Sequence, residues 1–217
     1  MRYQLIILDF DGTLADSAAW FLGALDGVAD RFGFRRCTPE EIEALRAKSS
    51  REIIRAMGIP AWKLPFIAAH MRRLSREGAD SIALFPGIEA FLAGLHADGV
   101  AIAVASSNGE ETIRRVLGPR LSAMVASFEC GSSMFGKAAR IRRLLRRSGV
   151  PASAVMLIGD ETRDIEAARK AGVAGGAACW GYAKRGALEA AGPTVVFPSV
   201  AAMTRHFALP ALAGAEG

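Results

Sequence analysis

Five short apolar runs constrain this chain more than any other feature. They fall at residues 3–9 (Tyr-Gln-Leu-Ile-Ile-Leu-Asp), 100–105, 123–127, 154–158 (Ala-Val-Met-Leu-Ile) and near 174–179. Runs of this length without polar alternation suit strands buried on both faces, as in a parallel sheet. Between them, apolar residues recur at helical spacing over 87–97, 109–117, 136–147 and 162–170. Strands alternating with helices predict βαβ units, hence an α/β fold with a Rossmann-like, doubly wound parallel sheet. Ligands of such sheets bind beyond the carboxyl ends of the strands. Polar side chains gather at those ends: Asp9 and Asp11, Ser106 and Ser107, Asp160 and Asp164.

The alternation is interrupted once. Residues 15–83 carry helical patterns over 16–32, 39–47, 50–57 and 62–77 and no convincing strand, with Gly33, Pro39, Gly58 and Pro60 as breaks. They predict a helical cap domain, 15–83, inserted into a core formed by 1–14 and 84–209. Leu84-Phe85-Pro86-Gly87 marks the return to the core. A small-residue tail over 210–217 is expected to be disordered.

Composition excludes several classes. No apolar run reaches the ~20 residues of a membrane span, and the N-terminal run is too short for a signal peptide. Cys37, Cys130 and Cys179 are odd in number and widely spaced, which argues against a disulfide framework and points to a reducing cytoplasm. The net charge of +5 would suit nucleic acid or small anions. Its densest cluster, Arg140 to Arg147, surrounds Ile141, Leu144 and Leu145 at helical spacing, as a solvated amphipathic helix would. Neither a basic face interleaved with aromatics nor a zinc-finger spacing is present, so nucleic acid is not the expected partner. No pattern specifies an oligomeric state.

The chemistry is carried by four short segments. Asp9 and Asp11 project from the same side of the first strand's end, while Phe10 points the other way. Paired carboxylates serve reactions in which one attacks or binds metal and the other moves a proton. Ser106 closes the second run, where its hydroxyl and the following N–H groups, that of Ser107 included, can hold a phosphate oxygen. For the side chains of Ser107 and Asn108, capping of the next helix is the plainer reading. Lys137 opens a helix after Gly136 and can add positive charge to an anion site. Asp160 and Asp164 supply two more acids at a strand end and a helix's first turn.

In this order, Asp9-Phe10-Asp11-Gly12-Thr13, Ser106, Lys137 and Gly159-Asp160-x-x-x-Asp164 resemble the four signature motifs of the haloacid dehalogenase-like hydrolases. The resemblance runs from Leu5 to about Val196 and includes Phe85-Pro86-Gly87 and Trp180-Gly181-Tyr182. It is nearest to the phosphoglycolate-phosphatase-like branch, which inserts a helical cap after the first motif. The resemblance implies a phosphatase acting on a small phosphorylated metabolite, phosphoglycolate-like or a sugar phosphate. Asp9 would attack phosphorus to form an aspartyl-phosphate, and Asp11 would protonate the leaving alkoxide. Ser106 and Lys137 would neutralise the phosphoryl oxygens. Mg²⁺ would bind Asp9, the Asp11 carbonyl and Asp160, with Asp164 supporting the metal directly or through water.

Departures from relatives narrow the reaction. Haloacid dehalogenases and phosphonatases lack the second aspartate of the first motif, so Asp11 argues against both. Phosphomutases of the β-phosphoglucomutase type carry a cap histidine where this chain has Ser17-Ala18-Ala19-Trp20-Phe21, which favours simple hydrolysis over the mutase alternative. A catalytically inactive binding module is disfavoured because every motif residue is present. In the cap, Ser50-Arg51 resembles a Ser-Arg pair with which mutase relatives grip the substrate's non-reacting anion, so Arg51 is a candidate contact of that kind, the alternative being a solvated arginine at a helix start or one paired with Glu52.

Overall fold

A computed structural model describes residues 3–131 and 136–208. The central strand β1 (Leu5–Leu8) is wholly buried, and its alternate side chains feed two different cores. Leu5 and Ile7 face one layer; Ile6 and Leu8, followed by Phe10, face the other. A strand covered on both faces has no use for polar alternation, which is why the apolar run is continuous.

The chain next forms β2 (Ala15–Asp16), then the cap helices α1 (Ala18–Phe32), α2 (Pro39–Leu45), α3 (Ser50–Ala56) and α4 (Leu64–Glu77), and returns through β3 (Ala83–Leu84). The sequence predicts no strand between 15 and 83, yet β2 and β3 pair antiparallel, Ala15 opposite Leu84. Two residues each are too few for a periodic signal, and the pairing arises only because the departing and returning chains meet. Helices α2 and α3 start on capping boxes, Thr38 with Glu41 and Ser49 with Glu52.

The core continues with α5 (Ile88–Ala97), β4 (Ala101–Ala105), α6 (Glu110–Met124), β5 (Val125–Glu129), α7 (Lys137–Ser148), β6 (Val155–Gly159), α8 (Thr162–Ala171), β7 (Ala174–Ala178), α9 (Arg185–Ala190), β8 (Val195–Phe197) and α10 (Val200–His206). The sheet is parallel, in the order β5-β4-β1-β6-β7-β8. The chain winds outward from β1 through β4 and β5, then crosses to β6, β7 and β8. The point of reversal therefore lies at the carboxyl end of β1, the place for a ligand in such a sheet.

Three differences from expectation have local causes. Helix α6 runs to Met124 rather than 117, because it restarts after a break at Gly118 (φ 70°) and Pro119; the Gly-Pro pair reads as a stop but acts as a kink. The strand expected over 123–127 consequently begins two residues later. Elements α9, β8 and α10 carry no clear sequence period, and β8 is a three-residue edge strand between Pro193 and Pro198. The tail predicted for 210–217 lies outside the described residues.

Candidate active site

The end of β1 is held by its backbone. The Asp9 N–H donates to the Ile158 carbonyl at 2.9 Å, extending the ladder to β6 by one residue. Beyond it the chain turns tightly around the Phe10 carbonyl, which accepts the N–H groups of Thr13, Leu14 and Ala15. Phe10 itself is buried in the core cluster. The turn passes through Gly12 at φ +74°, and a Cβ there would lie 2.2 Å from Asp160 Oδ2. Only glycine satisfies both the left-handed backbone and that approach.

Four charged groups converge beyond the strands. Lys137, first residue of α7, reaches Asp9 Oδ2 at 2.7 Å and Asp164 Oδ1 at 2.6 Å. Asp9 Oδ1 accepts the Phe10 N–H at 2.8 Å. Asp164 also accepts the Glu161 N–H at 3.1 Å, and Asp160 accepts Thr13 Oγ1 at 2.7 Å and the Tyr182 N–H at 2.8 Å. Oxygens of Asp9, Asp160 and Asp164 all lie within 4.8 Å of one another, and all three residues are buried.

This much negative charge out of water is costly unless compensated. Burial pushes Asp9 up to about 7, against the pull of Lys137. Burial, reinforced by Glu161 and Asp9, raises Asp160 well above the usual carboxylate range. Burial also opposes the charge on Asp164, but Lys137 and Arg163 outweigh it and hold this acid low. Asp160 has no ion-pair partner among the described residues. A cluster of hard oxygen donors short of one cation fits Mg²⁺, which takes one or two carboxylates and keeps water and phosphate oxygens as its remaining ligands.

Asp11 occupies a different environment. It is half-buried at the floor of the cap, and burial raises its pKa against hydrogen bonds from Ser17 and Asn108. Asn108 Nδ2 lies 3.2 Å from Asp11 Oδ2 and donates to Ser75 Oγ of α4 at 2.9 Å. Its Oδ1 accepts the Gly109 N–H, and its own N–H donates to Ser106 Oγ at 3.0 Å. The capping expectation for Asn108 therefore needs correction: the residue at the N-cap of α6 is Gly109, and the Asn108 amide bridges Asp11 to the cap. Nothing in the spacing separates these roles, because only the packed cap supplies Ser75.

The cap rests on the site at several points. Ser50 Oγ donates to Glu161 Oε2 at 3.0 Å, and Glu161 pairs with Arg163 at 2.5 Å. Arg46 Nε donates to the Tyr182 carbonyl at 2.8 Å, and the Tyr182 hydroxyl lies 2.8 Å from Ser17 Oγ. Asp11, Ser107, Asn108 and Arg163 line a cavity of about 320 Å³ between cap and core. Arg51 lies elsewhere, in the wall of a second cavity of about 240 Å³ that it shares with Lys137, Arg163 and Lys170. Thr13, Ser75, Asn108, Arg163 and Tyr182 enter the site without having been singled out in the sequence for these contacts.

The sequence pattern of the haloacid dehalogenase-like hydrolases matches residues 6–178. This chain belongs to that family. It is 34% identical to "Phosphoglycolate phosphatase" of Synechococcus elongatus over 88% of this chain and 90% of that one. It is also 29% identical to "Tyrosine-protein kinase PtkA" of Mycobacterium tuberculosis H37Rv, over 89% of this chain and 68% of that one. A predicted phosphatase from Clostridium acetobutylicum superposes with a TM-score of 0.81 at 18% identity, covering 96% and 99% of the two chains. The fold is thus the family's α/β core with a helical cap, and the chain is a phosphatase of the phosphoglycolate-phosphatase-like branch. Among the described residues no helix is long and apolar enough to cross a membrane.

Proposed function

We propose that this hydrolase removes phosphate from a small phosphorylated metabolite through an aspartyl-phosphate on Asp9, with Mg²⁺ as cofactor. The observation that carries the reading is the convergence of Asp9, Asp160, Asp164 and Lys137 beyond the switch point of the sheet. Asp9 and Asp160, with the Asp11 carbonyl, would hold the metal, and Asp164 would steady it. The bound ion would neutralise the charge that otherwise keeps an anionic nucleophile from an anionic phosphate.

The residues divide the work. Asp9 forms a bond to phosphorus as the ester oxygen departs, and Asp11 gives that oxygen its proton. Burial raises the Asp11 carboxyl above its ordinary range, the direction that favours an acid role. Asp11 then takes a proton from water, whose oxygen attacks phosphorus; the bond to Asp9 breaks and inorganic phosphate leaves. Lys137 and Ser106 would meet the phosphoryl oxygens, and Lys137, 2.7 Å from Asp9 Oδ2, would also hold Asp9 in orientation. Ser107, in the cavity wall, and Arg51, in the second cavity, are the further candidate substrate contacts.

The relatives supply phosphoglycolate as one candidate substrate, and sugar phosphates are another. The basic test is release of phosphate from p-nitrophenyl phosphate with Mg²⁺ and its loss in EDTA. Full turnover after exhaustive chelation would exclude the scheme. Beryllofluoride should form a stable adduct with the parent protein and none with Asp9→Asn.

A further inference from the structure

Among the described residues the cap buries only a few apolar side chains, Val28, Ala29, Leu45 and Met57 among them, and none of these joins a core cluster. The buried apolar clusters take no residue from α2, α3 or α4, and only Trp20, at an edge, from α1. The apolar side chains on the inner faces of these helices instead surround the 320 Å³ cavity: Leu25 on α1, Ile53 and Ile54 on α3, and Leu64, Ile67 and Met71 on α4. Each of these six is half-buried, while Val28 and Met57 of the same wall are buried. Along α4 this wall runs from Leu64 to Ser75, about 16 Å at the helical rise.

The polar groups of the cavity are gathered at its floor. Asp11, Ser107, Asn108, Glu161 and Arg163 come from the core, and Ser50 and Ser75 bond directly to two of them. Arg72 stands one turn along α4 from Ser75, and Arg163 is engaged by Glu161. Above that floor the wall is carbon apart from the side chain of Arg72. The hollow opens on Asp11, the residue that faces the departing oxygen in the proposed reaction, so it lies where the alcohol portion of an ester must go.

We infer that the cavity receives an apolar alcohol portion, and that the preferred substrates are phosphate monoesters of aryl or medium-chain alkyl alcohols. This rests on the phosphatase reading above and narrows its substrate class. A cavity of this size is in the range that encloses ligands far larger than glycolate, roughly 300–1,000 Å³. A glycolate carboxylate could reach Arg72 or Arg163 but would leave most of the cavity empty, against a wall that is mainly carbon. Each methylene that enters is instead worth roughly fourfold in binding.

The test compares hexyl phosphate and 1-naphthyl phosphate with ethyl phosphate and phosphoglycolate, all with Mg²⁺. The expected result is a kcat/KM for the two bulky apolar esters at least ~100-fold above that for phosphoglycolate. Ile67→Trp, which fills the hollow, should lower the ratio of hexyl to ethyl phosphate turnover at least tenfold. Should that variant fail to fold, the Asp9→Asn protein serves in calorimetric binding, where hexyl phosphate should bind at least ~30-fold tighter than phosphoglycolate. Turnover that favours phosphoglycolate, or an unchanged hexyl-to-ethyl ratio in folded Ile67→Trp, overturns this inference and leaves the phosphatase reading standing. No Mg²⁺-dependent turnover of any ester overturns both.

Discussion

The two halves of the site are built on opposite principles. At the sheet's end, charged side chains are buried and nearly every oxygen has a donor: Asp160 is fixed by Thr13 and Tyr182, Asp164 by Lys137 and Glu161. In the cap, apolar side chains face an open hollow. The first arrangement holds a few atoms in one geometry, as bond making to phosphorus requires. The second is tolerant of shape and selects by apolar area. One surface can therefore keep its chemistry while the other changes its choice of alcohol, and Asn108, bonded to both Asp11 and Ser75, is the joint between them.

The largest way to break this division is at the nucleophile. Asp9→Asn should lower kcat by at least ~10³-fold with an unchanged circular dichroism spectrum. A folded variant that keeps a tenth of the parent activity would remove Asp9 from the role assigned to it. The effect should be equal on every ester, since the core is indifferent to the alcohol.

Next in size is the metal arm. Asp160→Ala should weaken Mg²⁺ at least tenfold by titration calorimetry, and activity should recover in part at high Mg²⁺. Equal metal affinity in parent and variant would move the ion elsewhere in the acidic cluster.

The joint should give a smaller, asymmetric loss. Asn108→Ala should reduce kcat about tenfold and shift the limb of the pH–rate profile set by Asp11, because Asp11 loses a donor that favours its charged form. Ser75→Ala, which removes only the cap's end of the bridge, should cost a few-fold at most. A loss confined to KM in both variants would reduce the bridge to a substrate contact. Arg51→Ala is expected to hurt esters with a second anionic group while sparing hexyl phosphate; equal losses on both would place Arg51 outside substrate recognition.

The smallest effect is on stability. Burial lifts Asp9 from its ordinary 3.8 to about 7 in the fold, and it raises Asp160 beside it in the same direction. Between those values the folded protein holds a proton that the unfolded chain has released, so metal-free stability declines as pH rises through this window. Mg²⁺ binds the deprotonated carboxylate. Its stabilisation should therefore be greater near pH 8 than near pH 5.5, read as the shift in melting temperature. An equal shift at both pH values would argue that Asp9 does not carry the titration.

The core was legible in the sequence because its signals are local. Apolar runs mark β1, β4, β6 and β7, and the acids that follow β1 and β6 stand at the carboxyl ends of those strands whatever surrounds them. Short spacing alone puts Asp9 and Asp11 past the end of β1, and Asp160 and Asp164 across the turn from β6 into α8. The residues that hold these acids are far away in the chain: Tyr182 and Thr13 meet on Asp160, and Ser75 and Asp11 on Asn108. Their types are ordinary and their partners are set by packing, so no pattern marks them. The cap shows the same limit from the other side. Helical periodicity in α1 and α4 tells which faces point inward, and it reads identically whether those faces meet side chains or enclose a void. Periodicity records direction, whereas filling depends on how far apart the helices stand, and that distance was decided only when α3 came to rest on Glu161 and α4 on Asn108.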